Sequence, residues 1–200
     1  LPVKSVDELL AYMRANPGKV NIGINSQYDD MQATVLRNVT GAKFEIVRYA
    51  GLAASQNALL AGDIHVQLVA QTPWAKTMSE AGRVRVLAVN GPARDKVFLP
   101  NVPALAESTS PEIRELSKSI LYQPVWIGVS LGGKTPRPIV EFIHAHAKEI
   151  IKDPEFGKRM RDMGYEVVDS IPSLAESAEY VKNGVMEFGR VAKQAGIEPQ

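Results

Sequence analysis

A chain of 200 residues with 45% hydrophobic and 22% charged side chains can bury a real core, as one large domain or two small lobes. Its 23 basic and 22 acidic residues leave a net charge of +1, with neither a basic stripe nor an acidic tail, which argues against nucleic acid as a partner. The absence of cysteine excludes thiol catalysis, disulfides and cysteine-zinc sites, three histidines leave few actors for metal or acid–base chemistry, and no apolar run approaches the ~18 residues of a membrane span.

In chain order, Val6, Leu9, Leu10 and Met13 recur with helical period behind Ser5, whose spacing to Glu8 is that of a capping box. Asn16-Pro17-Gly18 ends that helix, and "KVNIG" reads as a short strand. A second helix is expected to run to about Val39, closed by Gly41, with Asp29 or Asp30 as its N-cap. "FEIVRY" is a second strand, "LAASQNALLAG" a helix ending at Gly62, and "IHVQLVA" a third strand. Pro73 opens a helix that Gly82 ends, and "VRVLAV" reads as a fourth strand. This alternation predicts an α/β fold with a doubly wound, mostly parallel sheet of about four or five strands, because parallel neighbours need a crossover helix.

The rhythm breaks at the Pro-rich "NGPARDKVFLPNVPALAESTSPEI" and resumes at "PVWIGVS", an apolar strand. Thr135 is expected to cap a helix that starts at Pro136 and runs to about Ile151, and Asp153-Pro154 repeats the device for a helix ending at Gly164. "YEVV" is strand-like, and Ser173 with Glu176 makes another capping box before a long last helix. Two blocks follow, 3–121 and 122–200. The second has only two strands, too few for a stable sheet, so partner strands are expected to flank it. Uncovered edges recruit other chains, which predicts a homodimer or a domain swap.

Candidate binding residues collect at strand ends. Asn25, Ser26 and Gln27 are consecutive polar side chains after the first strand, where open α/β sheets bind ligands. Asp29 and Asp30 are either the cap of a solvated helix start or ligand-facing acids. Tyr49 and Gly51 follow the second strand, as a tight turn or a ligand turn. Gln71 and Thr72 follow the third and can reach a cleft, while Trp74 reads as a core anchor and Trp126 as packing near a crossing between lobes. His65 reads as a surface or edge residue of a strand. His144 and His146 lie two apart on a helix and cannot share a ligand, so no metal site is expected. Gly132-Gly133-Lys134-Thr135 lacks the first spaced glycine of a phosphate loop and reads as a loop. No nucleophile–base arrangement emerges, and no cofactor is expected.

"KSVDELLAYMRANPGKVNIG", "VRYAGLAASQNALLAGDIHVQLV", "AGRVRVLAVNGPARDKVFLPNVPALAE" and "GKTPRPIVEFIHAHAKEIIKDPEFGKRMRDMGYEVV" resemble, in order and spacing, the tripartite tricarboxylate transporter receptors, the Bug-type periplasmic solute-binding proteins. The resemblance covers essentially the whole chain. It implies a periplasmic-binding-protein-like, type II venus-flytrap fold, with 3–121 as a complete second lobe and 122–200 as the C-terminal part of the first. The N-terminal part of that first lobe is expected to be missing, by cutting or by natural loss, and the start at Leu1 rather than Met fits processing.

The resemblance further implies a periplasmic receptor and not an enzyme. Its partners would be a small, carboxylate-bearing organic solute and the membrane subunits of a transporter. Residues 25–30 resemble the family's second ligand loop, and Tyr49 with Gly51 its Tyr-x-Gly turn. Free N–H groups at a helix start suit a carboxylate. Asp29 and Asp30 point the other way, since one carboxylate near an approaching anion disfavours it by about 1 kcal/mol at an effective dielectric near 20. They favour a cationic ligand or one held by neutral hydrogen bonds. A different function on the same fold, effector sensing in a transcription regulator, rests on fold analogy alone.

Overall fold

The computed structural model describes residues 1–70, 72–122, 128–165, 167–168, 170–194 and 196. Two compact units divide the chain: Leu1–Pro124 with Glu187–Gln200, and Val125–Met186.

In the first unit, helix α1 (Val6–Ala15) starts at Ser5, whose Oγ accepts the Glu8 N–H at 3.1 Å. Strand β1 (Asn21–Ile24) leads through α2 (Gln27–Thr40) to β2 (Glu45–Arg48), then through α3 (Leu52–Ala61) to β3 (Val66–Gln67) and α4 (Pro73–Glu80). The sheet has the order β2-β1-β3, with β1 parallel to both neighbours and in register Ile22↔Ile46 and Ile22↔Val66. The two crossovers run in opposite directions from β1 outward. Right-handed connections therefore place α2 and α3 on opposite faces, which is the doubly wound arrangement.

The core gathers Leu9, Leu10 and Met13 of α1, Val20, Ile22 and Ile24 around β1, and Leu121, Tyr122 and Val191 from farther along the chain. Two positions require glycine, one for packing and one for backbone conformation. A Cβ on Gly23 of the central strand would stand 2.2 Å from Ile64 Cδ1, and Gly41 ends α2 at φ 65°, in the left-handed region.

The expected fourth strand is not formed among residues 84–88. Only Val89 pairs, in an isolated parallel bridge with Ala104. The apolar residues of this stretch divide between two cores: Leu87 and Ala88 pack against the large one, while Val86 and Val89 join a second small one with Phe98, Leu99, Val102 and Ala104. The Pro-rich segment carries α5 (Pro111–Leu116) between two short 3-10 turns, Leu105–Glu107 and Ile120–Tyr122. Asp7 of α1 holds it in place, accepting from the Ser108 hydroxyl and from Thr109 N–H at 3.0 Å. Trp74 is half-buried on α4, a helix with no buried residue.

The second unit contains α6 (Arg137–Ile150), α7 (Pro154–Asp162) and most of α8 (Leu174–Gln194), a helix that continues into the first unit from Glu187. Helix α8 opens with a complete capping box: Glu176 N–H donates to Ser173 Oγ at 3.2 Å and Ser173 N–H to Glu176 Oε2 at 2.8 Å. Helix α7 is capped by Asp153 as expected. Thr135 is not a cap. Its N–H closes a turn onto Gly132 O at 2.9 Å, and Pro136 takes the N-cap position of α6 with no side-chain bond. Neither Ser130-side residues 128–130 nor Tyr165, Val167 and Val168 form a strand, and most of "PVWIGVS", with Trp126, lies outside the described residues. No residue of α6 is buried.

Candidate functional site

The order β2-β1-β3 makes the gap between β1 and β3 the point where connections diverge to opposite faces, and ligands of open α/β sheets bind beyond the carboxyl ends of the strands there. Asn25 follows β1 directly. Its Oδ1 accepts from Ser55 Oγ, and that same hydroxyl accepts from Gln67 Nε2 at 2.6 Å. Ser55 is fully buried (0% exposed), so the chain Gln67–Ser55–Asn25 ties the ends of β3 and β1 to α3 through bonds shielded from water. The carboxamide Nδ2 of half-buried Asn25 has no protein partner among the described residues, and it is left as a fixed donor.

The start of α2 differs from the expected one. Ser26, not Asp29 or Asp30, is the N-cap, with extended backbone and an Oγ that accepts the Asp29 N–H at 3.2 Å. Gln27 is thus the first helical residue, exposed like Ser26. Asp29, 8% exposed, turns back so that Oδ2 accepts the Asn25 N–H at 2.9 Å. Asp30 pairs with Arg48 at the end of β2, Nη2 to Oδ2 2.7 Å. The spacing Ser26-x-x-Asp29 is the same signal that marks Ser5 and Glu8, and it would have found this cap. Asp30 is paired with a cation, the Arg48 guanidinium, whereas Asp29 has a neutral N–H as the partner of its carboxylate.

Helix α3 starts in the opposite way. Gly51 is its N-cap, no side chain caps it, and its first turn contains no acid. The Gly51 φ of 178° is ordinary extended backbone, and a Cβ there would meet nothing within 4 Å, so the protein's own packing does not require glycine. The N–H groups of that first turn lack intrahelical acceptors and carry the positive end of the helix dipole. Tyr49, half-buried, continues the strand ladder through its N–H to Ile24 O at 3.0 Å. Thr72 caps α4 by accepting the Ala75 N–H at 3.2 Å, and Gln71 lies outside the described residues.

Asn25, Gly51 and Thr72 therefore stand at or after the carboxyl ends of three parallel strands. The donors on offer are Asn25 Nδ2 and the start of α3, a set suited to an oxygen-rich, acceptor-only group. Ser55 and Gln67 escaped the sequence reading. Their signal was weak: one serine within an apolar helix and one glutamine between the apolar Val66 and Leu68. The histidines have local roles, His65 Nδ1 accepting the Asn21 N–H at 3.0 Å and His144 bonding Pro172 O at 2.8 Å.

Residues 1–197 match the family model described as "Tripartite tricarboxylate transporter family receptor", and the chain belongs to this family. Its fold is that of the periplasmic binding proteins of this type. It is similar to the structure "R. palustris Rpa4515 with adipate" (TM-score 0.82, 26% identity, covering 100% of this chain and 64% of that one). It shares its fold with "Structure of periplasmic binding protein BugD" (TM-score 0.78, 24% identity, covering 100% and 64%). Among curated relatives, the "UPF0065 protein in gbd 5'region" of Cupriavidus necator is 32% identical over 184 residues, 90% of this chain and 51% of the relative. "Protein BugT" of Bordetella pertussis is 24% identical over 202 residues, 99% of this chain and 58% of the relative. The chain thus spans between half and three fifths of these two proteins. Among the described residues no helix is long and apolar enough to cross a membrane.

Proposed function

We propose that the chain acts in a periplasmic solute receptor for a tripartite tricarboxylate-type transporter, and that it holds a carboxylate-bearing solute without chemical conversion. In this reading the unit Leu1–Pro124 with Glu187–Gln200 is one lobe, Val125–Met186 belongs to the other, so that the division after residue 121 expected from the sequence misses the return of α8, and the membrane subunits of the transporter are the downstream partners. The observation that carries the ligand class is a pair of donors at the end of the sheet: Asn25 Nδ2, its carboxamide held by Ser55, and an α3 start with no acid and no capping side chain. The similar structure "R. palustris Rpa4515 with adipate" carries adipate, an acceptor-only dicarboxylate that fits such donors. Gln27, Tyr49, Gly51, Gln71 and Thr72 are proposed to line the same pocket, with Gly51 leaving room for a carboxylate against the first turn of α3. Ser26, Asp29 and Asp30 shape it by fixing the start of α2.

Calorimetric titration with adipate and with a diamine of matched length tests the reading. Adipate is expected to bind and the diamine not. Asn25→Ala should weaken adipate by a factor of a few to about tenfold, the ~0.5–1.5 kcal/mol of one neutral hydrogen bond. Asn25→Asp, which adds a charge, should weaken it further. Preference for the diamine would overturn the proposal.

A further inference from the structure

Helix α2 has two duties. Its first residues border the candidate site, and its side chains hold the chain where it leaves the first unit and where it returns. On the way out, Tyr28 Oη donates to Leu121 O at 2.8 Å, Gln32 Nε2 donates to the same carbonyl at 2.5 Å, and Tyr122 Oη donates to Gln32 O at 2.6 Å. Leu121, Tyr122 and Gln32 are 0%, 3% and 3% exposed, so these groups have left water and satisfy one another. Two residues beyond Tyr122 the first unit ends. On the way back, Phe188, the second residue of the returning stretch, meets Tyr28 edge-on, ring centroids 6.0 Å apart at 62°. Val191 then enters the core. A single side chain, Tyr28, therefore touches both passages, through its hydroxyl on one and its ring on the other. It is the second residue of α2, next to Asp29, whose carboxylate holds the Asn25 N–H.

We infer that Tyr28 is a positioning residue that fastens both passages of the chain between its two units to the helix bordering the site, with Gln32 as a second fastener on the outward passage. The inference concerns the chain without solute, so it stands or falls separately from the ligand reading.

Three variants are compared by amide exchange and melting temperature. Tyr28→Ala should speed exchange about tenfold at both Tyr122 and Phe188. Tyr28→Phe keeps the ring and loses the hydroxyl, and it should speed Tyr122 about fivefold while leaving Phe188 unchanged, since one net hydrogen bond is worth about that factor. Thr40→Val is the control. It removes a buried hydroxyl bonded to Leu36 O at 2.6 Å on the same helix, away from both passages, and should lower the melting temperature without speeding exchange selectively at Tyr122 and Phe188. Unchanged exchange at both residues in Tyr28→Ala, or equal acceleration there in Thr40→Val, overturns the inference. Should Tyr28→Ala fail to fold, Tyr28→Phe decides: unaltered exchange at Tyr122 overturns it as well.

Discussion

The two units of the chain are built from similar local sequence and end differently. The first turns its apolar residues inward: Val20, Ile22 and Leu121 are 0% exposed. In the second, Phe142 is 62% exposed, Val168 60% and Val185 67%. Composition does not explain the difference, since α6 and α8 have apolar stripes as regular as that of α1. What separates them is a sheet. The first unit has three parallel strands for its helices to cover, while the described residues of the second contain none. An amphipathic helix buries its stripe only if something apolar faces it, and a large uncovered patch marks a surface that another element covers. We propose a second copy of the chain as that element.

The largest test of this comparison is truncation on each side. Ile22→Ala should destabilise by about 2–5 kcal/mol through transfer loss and cavity, whereas Phe142→Ala, on the exposed stripe, should stay within about 0.5 kcal/mol. Chemical denaturation of both variants reads the contrast, and equal losses would break it. Association comes next. Light scattering should give a mass above the 21.8 kDa of one chain, and Phe142→Ser with Val185→Ser should shift it toward that value. A monodisperse monomer at high concentration would show the stripe to be harmless.

Smaller effects should ignore the boundary between units. Ser26→Ala and Ser173→Ala each remove a side-chain acceptor at a helix start, and each should cost about 1 kcal/mol whether or not the helix is buried. Asp30→Asn, which breaks a surface pair with Arg48, should cost about 0–1 kcal/mol and less in salt.

The acid response should be confined mainly to the first unit. Burial pushes the Asp7 carboxyl up, but hydrogen bonds from Ser108, Thr109 and Ser110 outweigh it and hold it below its ordinary 3.8. A folded value below the unfolded one means that this stabilisation is complete above about 3.8 and disappears as pH falls through the lower folded value. Glu112, bonded by Arg14 and Ser110, and Glu107, bonded by Arg94 and the Ala104 N–H, are held at about 2 against 4.5, which extends the window from about 4.5 down to about 2. Melting temperature against pH should fall across that window, and Asp7→Asn should flatten its lower part.

Helix starts and stops were legible in the sequence because they rest on bonds within four residues. The Ser5 cap, whose expected box is only half formed because Glu8 Oε2 accepts from Lys4 N–H instead of Ser5 N–H, the box Ser173–Glu176, the Asp153 cap, and Gly41 and Gly62 as left-handed ends all depend on local backbone alone. Where such a signal was read one turn late, at Ser26, the information was still present in Ser26-x-x-Asp29. The alternation of strands and helices likewise determined a parallel doubly wound class, since no other connection joins parallel neighbours. Tertiary structure decided the rest. Residues 84–89 have a strand's period, and their side chains divide between two cores, Val86 and Val89 with Phe98 and Leu99 and Leu87 with the larger one, yet only Val89 is bridged, because pairing needs a neighbour with free backbone and packing needs only an apolar face. The donor geometry of the site depends on Asn25 meeting Ser55, 30 positions away, and the clamp on Leu121 depends on Tyr28, 93 positions away. No local rule encodes such meetings. They exist because closing those long loops is offset by the core that forms around them, and a one-dimensional pattern does not say which polar groups that core will bring together.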